Sequence, residues 1–533
     1  MNRTAWIMAP VAALVMGFVL TFLPALAGTA HAAEPTLASA SNELRVASEA
    51  GAVQGQREAG VTSFKGLPYA APPVGELRWR APQPAVPWQD TRAAQLRGNS
   101  CIQKPALSID SDGGDPRPMG EDCLTLNVWT PRTAAASKLP VMVWIHGGAL
   151  IFGAGGLPVY DGAALARRGA VVVTLNYRLG VLGFFAHPAI APPGSDNPVN
   201  FGLLDQVAAL QWVQRNIAAF GGDPGNVTIF GQSAGAESVL ALLTSPLAKG
   251  LFHKAIAQSP YGIPSHTLTK ARETAIKVAS ALNLRGASAS AAELRSAPAE
   301  AFEALSGNEL SLTPVFIVGD AALPQPILGV FQQGRETNVP LIIGNTSDDG
   351  SIAVAMGMDP AAIVKRLGAA RIAVKSLYPK VSSDEQLGRE TVRDLAFTAF
   401  ARRIAYLHSA RAPTWRYYYG YVPSGLRSRQ MGVPHGGEVA LTMGTLDLCQ
   451  CLGAPATAAD RAASARISQH WFDFARSGTP VPQNADAWPR DGQRSAKLLE
   501  FGDTDEVRTD FMKPRLNAFI GTLNVLGRFT GAR

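Results

Sequence analysis

One pentapeptide restricts what this chain can fold into more than any other stretch: Gly231 to Gly235, G-Q-S-A-G. Ahead of it, Asn226 to Phe230 (N-V-T-I-F) is short, β-branched and aromatic, the composition of a buried strand. Behind it, A-E-S-V-L-A-L-L continues as a helix suited to pack on a sheet. The glycines at both ends permit strained dihedrals and close packing, so the chain passes from strand to helix with Ser233 at the apex. A serine held there attacks a carbonyl once a base takes its proton. The turn therefore implies an α/β architecture and marks a candidate nucleophile.

The rest of the chain repeats the same alternation. Strand candidates are Val141 to His146, Ala170 to Tyr177, Val227 to Phe230, His253 to Gln258, Leu341 to Gly344 and Trp415 to Tyr421. Helices fit Ala163 to Arg168, Leu203 to Ile217 and Ala234 to Thr244. Strand, helix, strand in succession implies a mostly parallel central sheet with helices on both faces. Val53 to Ala70 and Thr125 to Trp129 read as its antiparallel beginning. Two Ala-rich helical stretches, near 267–311 and 358–411, lack linker composition and read as helical insertions in one domain spanning 33–533. With 47% hydrophobic and 17% charged residues, the chain has the composition of a large buried core.

The first 32 residues read as a separate unit. Arg3 precedes an almost wholly apolar run, Trp6 to Leu23, and Ala30-His31-Ala32 supplies small residues before a cut at Ala33. That is the layout of a secretory signal peptide; an uncleaved membrane anchor is the rival reading. Removing Arg3 lowers the net charge from +7 to +6, spread along the chain without a basic stripe, which argues against a nucleic-acid partner. No other apolar run is long enough to span a bilayer, so the expectation is an exported, secreted or periplasmic product without stable membrane insertion after cleavage. Four cysteines remain in it. A bridge between Cys101 and Cys123 would close a Gly/Pro/Asp-rich excursion. Cys449 and Cys451, one residue apart, fit a short local bridge or a pair of buried thiols, and buried thiols are the preferred reading.

Acyl transfer needs a base, a group that orients it, and donors for the developing oxyanion. I-H-G-G-A-L (Ile145 to Leu150) follows a strand directly, and the N–H groups of Gly148 and Ala149, with that of Ala234 after the serine, are the best candidate donors. An ordinary glycine turn is the plain alternative. For the base, His435 lies in the glycine-rich G-V-P-H-G-G-E after the last strand candidates. His146, His187, His253, His266, His408 and His470 have structural explanations on strands, helix ends or loops. His435 with Glu438 makes a poor metal pair because no further ligand has suitable spacing, and no metal or organic cofactor is implied. For the acid, T-S-D-D-G follows the strand P-L-I-I-G; Asp349 is the first choice and Asp348 the second, in the chain order serine, acid, histidine.

Taken together, these residues resemble the type-B carboxylesterase family. The likeness runs from about Ala52 to Thr522, through F-K-G-L-P-Y-A-A-P-P-V-G-E-L-R-W, E-D-C-L-T-L-N-V-W, the H-G-G-A loop, L-N-Y-R-L-G-V-L-G-F, N-F-G-L-L-D-Q and the serine turn. The resemblance implies an α/β-hydrolase fold, a small-molecule ester substrate, and hydrolysis through an acyl-enzyme. It implies Ser233 as nucleophile, His435 as general base, Asp349 as the orienting acid, an oxyanion hole of Gly148, Ala149 and Ala234, and a Cys101–Cys123 bridge. Three positions depart from the family pattern: Asp349 and Gln232 where glutamate is usual, and Ala149 where many members have glycine. A lipase or sterol esterase is the enzymatic alternative, and a non-catalytic binding protein on the same fold is the alternative from another class. Nothing in the sequence sets an oligomeric state or the particular ester.

Overall fold

A computed structural model describes residues 44–529 apart from 111–113, 132, 263–264, 306–314, 453 and 494. Residues 1–32, read above as a signal peptide, lie outside the described residues. Among the described residues an eleven-stranded sheet organises the chain. Its strands are β1 (Gln56–Glu58), β2 (Val61–Pro68), β3 (Thr125–Thr130), β4 (Leu139–Ile145), β5 (Val171–Leu175), β6 (Gly222–Gln232), β7 (Lys254–Gln258), β8 (Leu341–Thr346), β9 (Thr414–Tyr419), β10 (Lys497–Phe501) and β11 (Glu506–Thr509). Across the sheet they lie in the order β11-β10-β9-β8-β7-β6-β4-β5-β3-β2-β1. From β5 to β10 neighbouring strands are parallel, and both edges are antiparallel.

The central strands are buried on both faces, which explains why their sequences run apolar without alternation. Successive side chains still point to opposite sides. Val141, Val143 and Ile145 of β4 pack with Val171, Val173 and Leu175 of β5 against one layer, which includes Leu203 and Leu210 of α1 (Phe201–Asn216) and Val239 and Leu240 of α2 (Ala234–Thr244). Met142 and Trp144 join Val172 on the other face, under Ile467, Trp471 and Phe474 of α3 (Ala458–Ser477).

The strand order places the site. β4 lies between β5 and β6, so the chain leaves it on one side and returns on the other. Such a reversal opens a crevice at the carboxyl ends of the strands. The H-G-G-A loop leaves β4 there and the serine turn leaves β6 there.

Several expectations need adjustment. Gly51–Gln54 joins Arg45–Ser48 and Arg92–Ala93 in a separate three-stranded sheet, so the antiparallel edge of the main sheet starts at Gln56. The second edge, β10 and β11, had no counterpart in the sequence reading. Both Ala-rich stretches carry helices: Leu268–Ala281, Ala291–Ser296 and Ala299–Leu305 in the first, and Pro360–Arg366, Ala370–Ser376, Asp384–Val392 and Ala399–His408 in the second. A π-helical segment, Arg393–Thr398, interrupts the latter just before its last helix. Cys101 and Cys123 are bridged. The preferred reading of Cys449 and Cys451 as buried thiols is corrected: they too are bridged, their Cα atoms 5.2 Å apart, within ordinary disulfide reach.

Candidate active site

The turn at the end of β6 forces its strain onto the serine itself. Ser233 has φ 57° and ψ −124°, a conformation that costs a non-glycine residue about 1–3 kcal/mol. Gly231 and Gly235 are needed for a different reason. A Cβ on Gly235 would sit 2.0 Å from the carbonyl oxygen of Ile145, and one on Gly231 would sit 2.6 Å from the same oxygen. The glycines let α2 and β6 close onto β4, and that closure holds Ser233 in its unusual backbone shape. The Ser233 N–H donates to the Gln258 carbonyl at 2.9 Å, tying the turn to β7 as well.

His435 reaches the serine from the loop after β9. Ser233 Oγ lies 2.8 Å from His435 Nε2, and His435 Nδ1 lies 2.7 Å from Asp349 Oδ1. Because Nδ1 faces a carboxylate, it carries the proton of the neutral ring, and Nε2 accepts from the serine hydroxyl. Asp349 is fully buried, and its second oxygen accepts from the Thr346 N–H at 2.8 Å and from Ser259 Oγ–H at 3.0 Å. Those two bonds leave Oδ1 aimed at the ring.

The histidine loop is stitched to the end of β8. The Val433 N–H donates to Ser347 Oγ at 2.8 Å, the Asp348 N–H donates to the Val433 carbonyl at 2.9 Å, and the His435 N–H donates to Ser351 Oγ at 2.9 Å. Asp348, the second-choice acid, faces away from the ring and pairs with Arg389. The π-helical segment brings Phe397 against the imidazole, their ring centres 5.1 Å apart, and lets Arg393 donate to the Ser347 carbonyl.

The remaining histidines are occupied elsewhere. His146 stacks on Tyr177 at 4.4 Å, and burial pulls its pKa down to about 4, so it stays neutral. His187 and His470 bond main-chain carbonyls, His253 accepts the Val227 N–H, His266 lies in a two-residue strand, and His408 pairs with Glu336.

The loop after β4 crowds the serine. A Cβ on Gly147 would lie 3.2 Å from Ser233 Cβ and 2.7 Å from the Gln232 carbonyl oxygen. Gly148, Ala149 and Leu150 all have positive φ, 100°, 51° and 63°, which turns the main chain sharply after the strand. The Ile151 and Phe152 N–H groups close this turn onto the Gly148 carbonyl. Ala234 is the first residue of α2, where a helix leaves its N–H without an intrahelical acceptor. Among the described residues none accepts from the N–H groups of Gly148, Ala149 or Ala234.

Two buried acids lie at this site: Glu237, which the sequence reading did not single out, and Glu438, which it weighed only as a metal partner of His435. Glu438 is fully buried, accepts from Gln258 Nε2 at 3.3 Å, and has its pKa raised to about 7 by burial and then by the charge of Asp349. Glu237 accepts the Tyr261 N–H at 2.6 Å, and burial raises it to about 8. A faint signal existed: Glu237 follows the serine by one helical turn, and Glu438 follows the histidine by three residues. Among the described residues no group of three or more His, Cys, Asp or Glu side chains is arranged to hold a metal ion.

Comparison with known proteins supplies an independent line. The profile of the carboxylesterase family matches residues 42–378 and 380–519. The chain is 39% identical over 486 residues to the para-nitrobenzyl esterase of Bacillus subtilis (strain 168), covering 87% of this chain and 96% of that protein. It is 35% identical over 480 residues to the fumonisin B1 esterase of Sphingopyxis macrogoltabida, covering 85% of each. Among solved structures, a carboxylesterase of Geobacillus stearothermophilus aligns with a TM-score of 0.79 at 29% identity, covering 89% of this chain and 99% of that one. A thermophilic PNB esterase aligns at 0.78 with 34% identity, covering 90% and 100%.

Proposed function

This chain belongs to the carboxylesterase family, and we propose that Ser233, His435 and Asp349 carry out its reaction. It is a carboxylic ester hydrolase with the α/β-hydrolase fold. The residue assignment rests on the unbroken series of hydrogen bonds from Ser233 Oγ through His435 to Asp349.

In the first half-reaction Ser233 Oγ attacks the ester carbonyl carbon while His435 Nε2 takes its proton. Asp349 holds the Nδ1–H tautomer and stabilises the imidazolium without becoming protonated. The N–H groups of Gly148, Ala149 and Ala234 receive the tetrahedral oxyanion; losing one such donor costs about 10²–10³ in rate. His435 returns its proton to the departing alkoxide, leaving an acyl-Ser233. A water, deprotonated by the same Nε2, then attacks the acyl carbon; the bond to Ser233 Oγ breaks, Oγ takes the proton back from Nε2, and the carboxylic acid leaves. Aspartate in place of the longer glutamate is accommodated because the stitched loop brings Nδ1 to 2.7 Å. Replacing Ser233 by Ala and His435 by Ala is the test: both variants lose at least ~10⁴ of kcat on an aryl acetate. A Ser233→Ala variant retaining a tenth of the activity contradicts the assignment.

The proposed substrates are esters of short acyl chains or aryl alcohols, in keeping with a relative named for para-nitrobenzyl esters. The leader at 1–32 and the two bridges support export, since disulfides persist in oxidising compartments. No helix among the described residues is long and apolar enough to cross a membrane. The helical stretches near 267–311 and 358–411 are read as insertions on a single catalytic domain.

A further inference from the structure

Gln232 precedes the nucleophile, and its buried carboxamide meets the base that the nucleophile uses. Gln232 Nε2 lies 3.2 Å from His435 Nε2, the nitrogen that Ser233 Oγ approaches to 2.8 Å. With Nδ1 committed to Asp349, that nitrogen offers one lone pair to two donors. Among the described residues Ser233 and Gln232 are its hydrogen-bond partners.

Serine attack reverses the polarity of this contact. Nε2 becomes an N–H, and an amide NH2 pointing at it is repelled. A half-turn of the carboxamide brings Oε1 to the same place, where it accepts. There is room for that turn because glycines flank the amide. A Cβ on Gly147 would press within 3.1 Å of Oε1, and one on Gly436 within 3.6 Å of Nε2.

We infer that Gln232 is a positioning residue that serves both protonation states of His435, donating to the imidazole and accepting from the imidazolium. The inference rests on the assignment of Ser233 and His435 above. A glutamate at this position can only accept, and its charge favours the imidazolium, so the carboxamide keeps the base free of its proton at lower pH. The other charged groups around the ring stay the same in either case. Asp349 faces Nδ1, Glu438 is buried beside Asp349, Asp348 is bound to Arg389, Arg393 lies behind Ser347, and Glu237 sits one turn into α2.

The test compares kcat/KM against pH for the mature protein, its Gln232→Glu and Gln232→Met variants, and Ser233→Ala, on an aryl acetate. Gln232→Glu moves the acidic limb upward by about one pH unit. Gln232→Met leaves the limb in place but lowers kcat about tenfold with KM within about twofold, because the imidazolium loses its acceptor. An unmoved limb in Gln232→Glu, or a full kcat in Gln232→Met, overturns the role of Gln232; the methionine variant decides the matter if the glutamate variant does not fold. An inert Ser233→Ala alongside those outcomes leaves the triad assignment standing, whereas an active one removes both.

Discussion

Around Ser233 the main chain is packed until nothing larger than hydrogen fits at Gly231 and Gly235, with Ile145 of the neighbouring strand as the wall. Around His435 the chain is held by hydrogen bonds to Ser347 and Ser351 and from the Asp348 N–H, one bond at a time. The proposed nucleophile is therefore positioned by repulsion, which has no graded response, and the proposed base by a sum of attractions of about 1 kcal/mol each. The first arrangement fails at once when any atom is added. The second loosens by steps. Only the final contact, Nδ1 to a fully buried carboxylate, combines both characters.

The sharpest way to break this comparison is at that contact. Asp349→Asn offers an amide where the ring needs a carboxylate, and kcat falls by about 10⁴; Asp348→Asn loosens the Arg389 pairing and costs about tenfold or less. Steady-state rates on an aryl acetate decide it, and equal losses would mean that the acid has been misassigned. Next, Gly235→Ala puts a methyl 2.0 Å from a carbonyl oxygen and costs about 3 kcal/mol of stability or prevents folding, seen as a lowered denaturant midpoint. A variant as stable as the parent would remove the steric account. Ser351→Ala, which removes the acceptor of the His435 N–H, costs about 1 kcal/mol and lowers kcat about tenfold without abolishing it; a complete loss would make the loop as unforgiving as the turn.

The smallest effect concerns pH, and it separates the acids beneath the two regions. Glu237 under the turn and Glu438 under the loop keep their protons to about pH 8 and about pH 7, whereas in the unfolded chain both release them near 4.5. Between about pH 4.5 and 8 the folded state binds more protons, so stability falls as pH rises through that window. Glu237→Gln removes part of that slope, and the drop in Tm from pH 5 to pH 8 shrinks by roughly 3 °C. Parallel slopes for parent and variant would contradict it.

The two regions also differed in how much of them the sequence disclosed. The serine turn is local: strand, glycines and helix adjoin between Asn226 and Thr244, so its shape was readable, although the strain fell on Ser233 instead of on the glycines. The central strands were legible because burial on both faces leaves an unbroken apolar run. β11 was not, since all four of its residues are exposed and nothing in E-V-R-T marks an edge. The histidine loop depends on serines 84 to 86 residues upstream, a pairing that no local pattern encodes. Phe397 was hidden for the same reason, and although Glu438 stands three residues from His435, its burial beside Asp349 was not legible there. The Cys449–Cys451 bridge was one of two open readings but not the preferred one; the chain there turns enough to bring the sulfurs together.

The most direct measurement traps the intermediate. The protein is mixed with p-nitrophenyl acetate, quenched in acid within the first turnover, digested, and its peptides are weighed. The account predicts a single acetyl group on the peptide that contains Ser233, and none in Ser233→Ala. An acetyl group on any other residue, or hydrolysis that continues at the parent rate in Ser233→Ala, contradicts it.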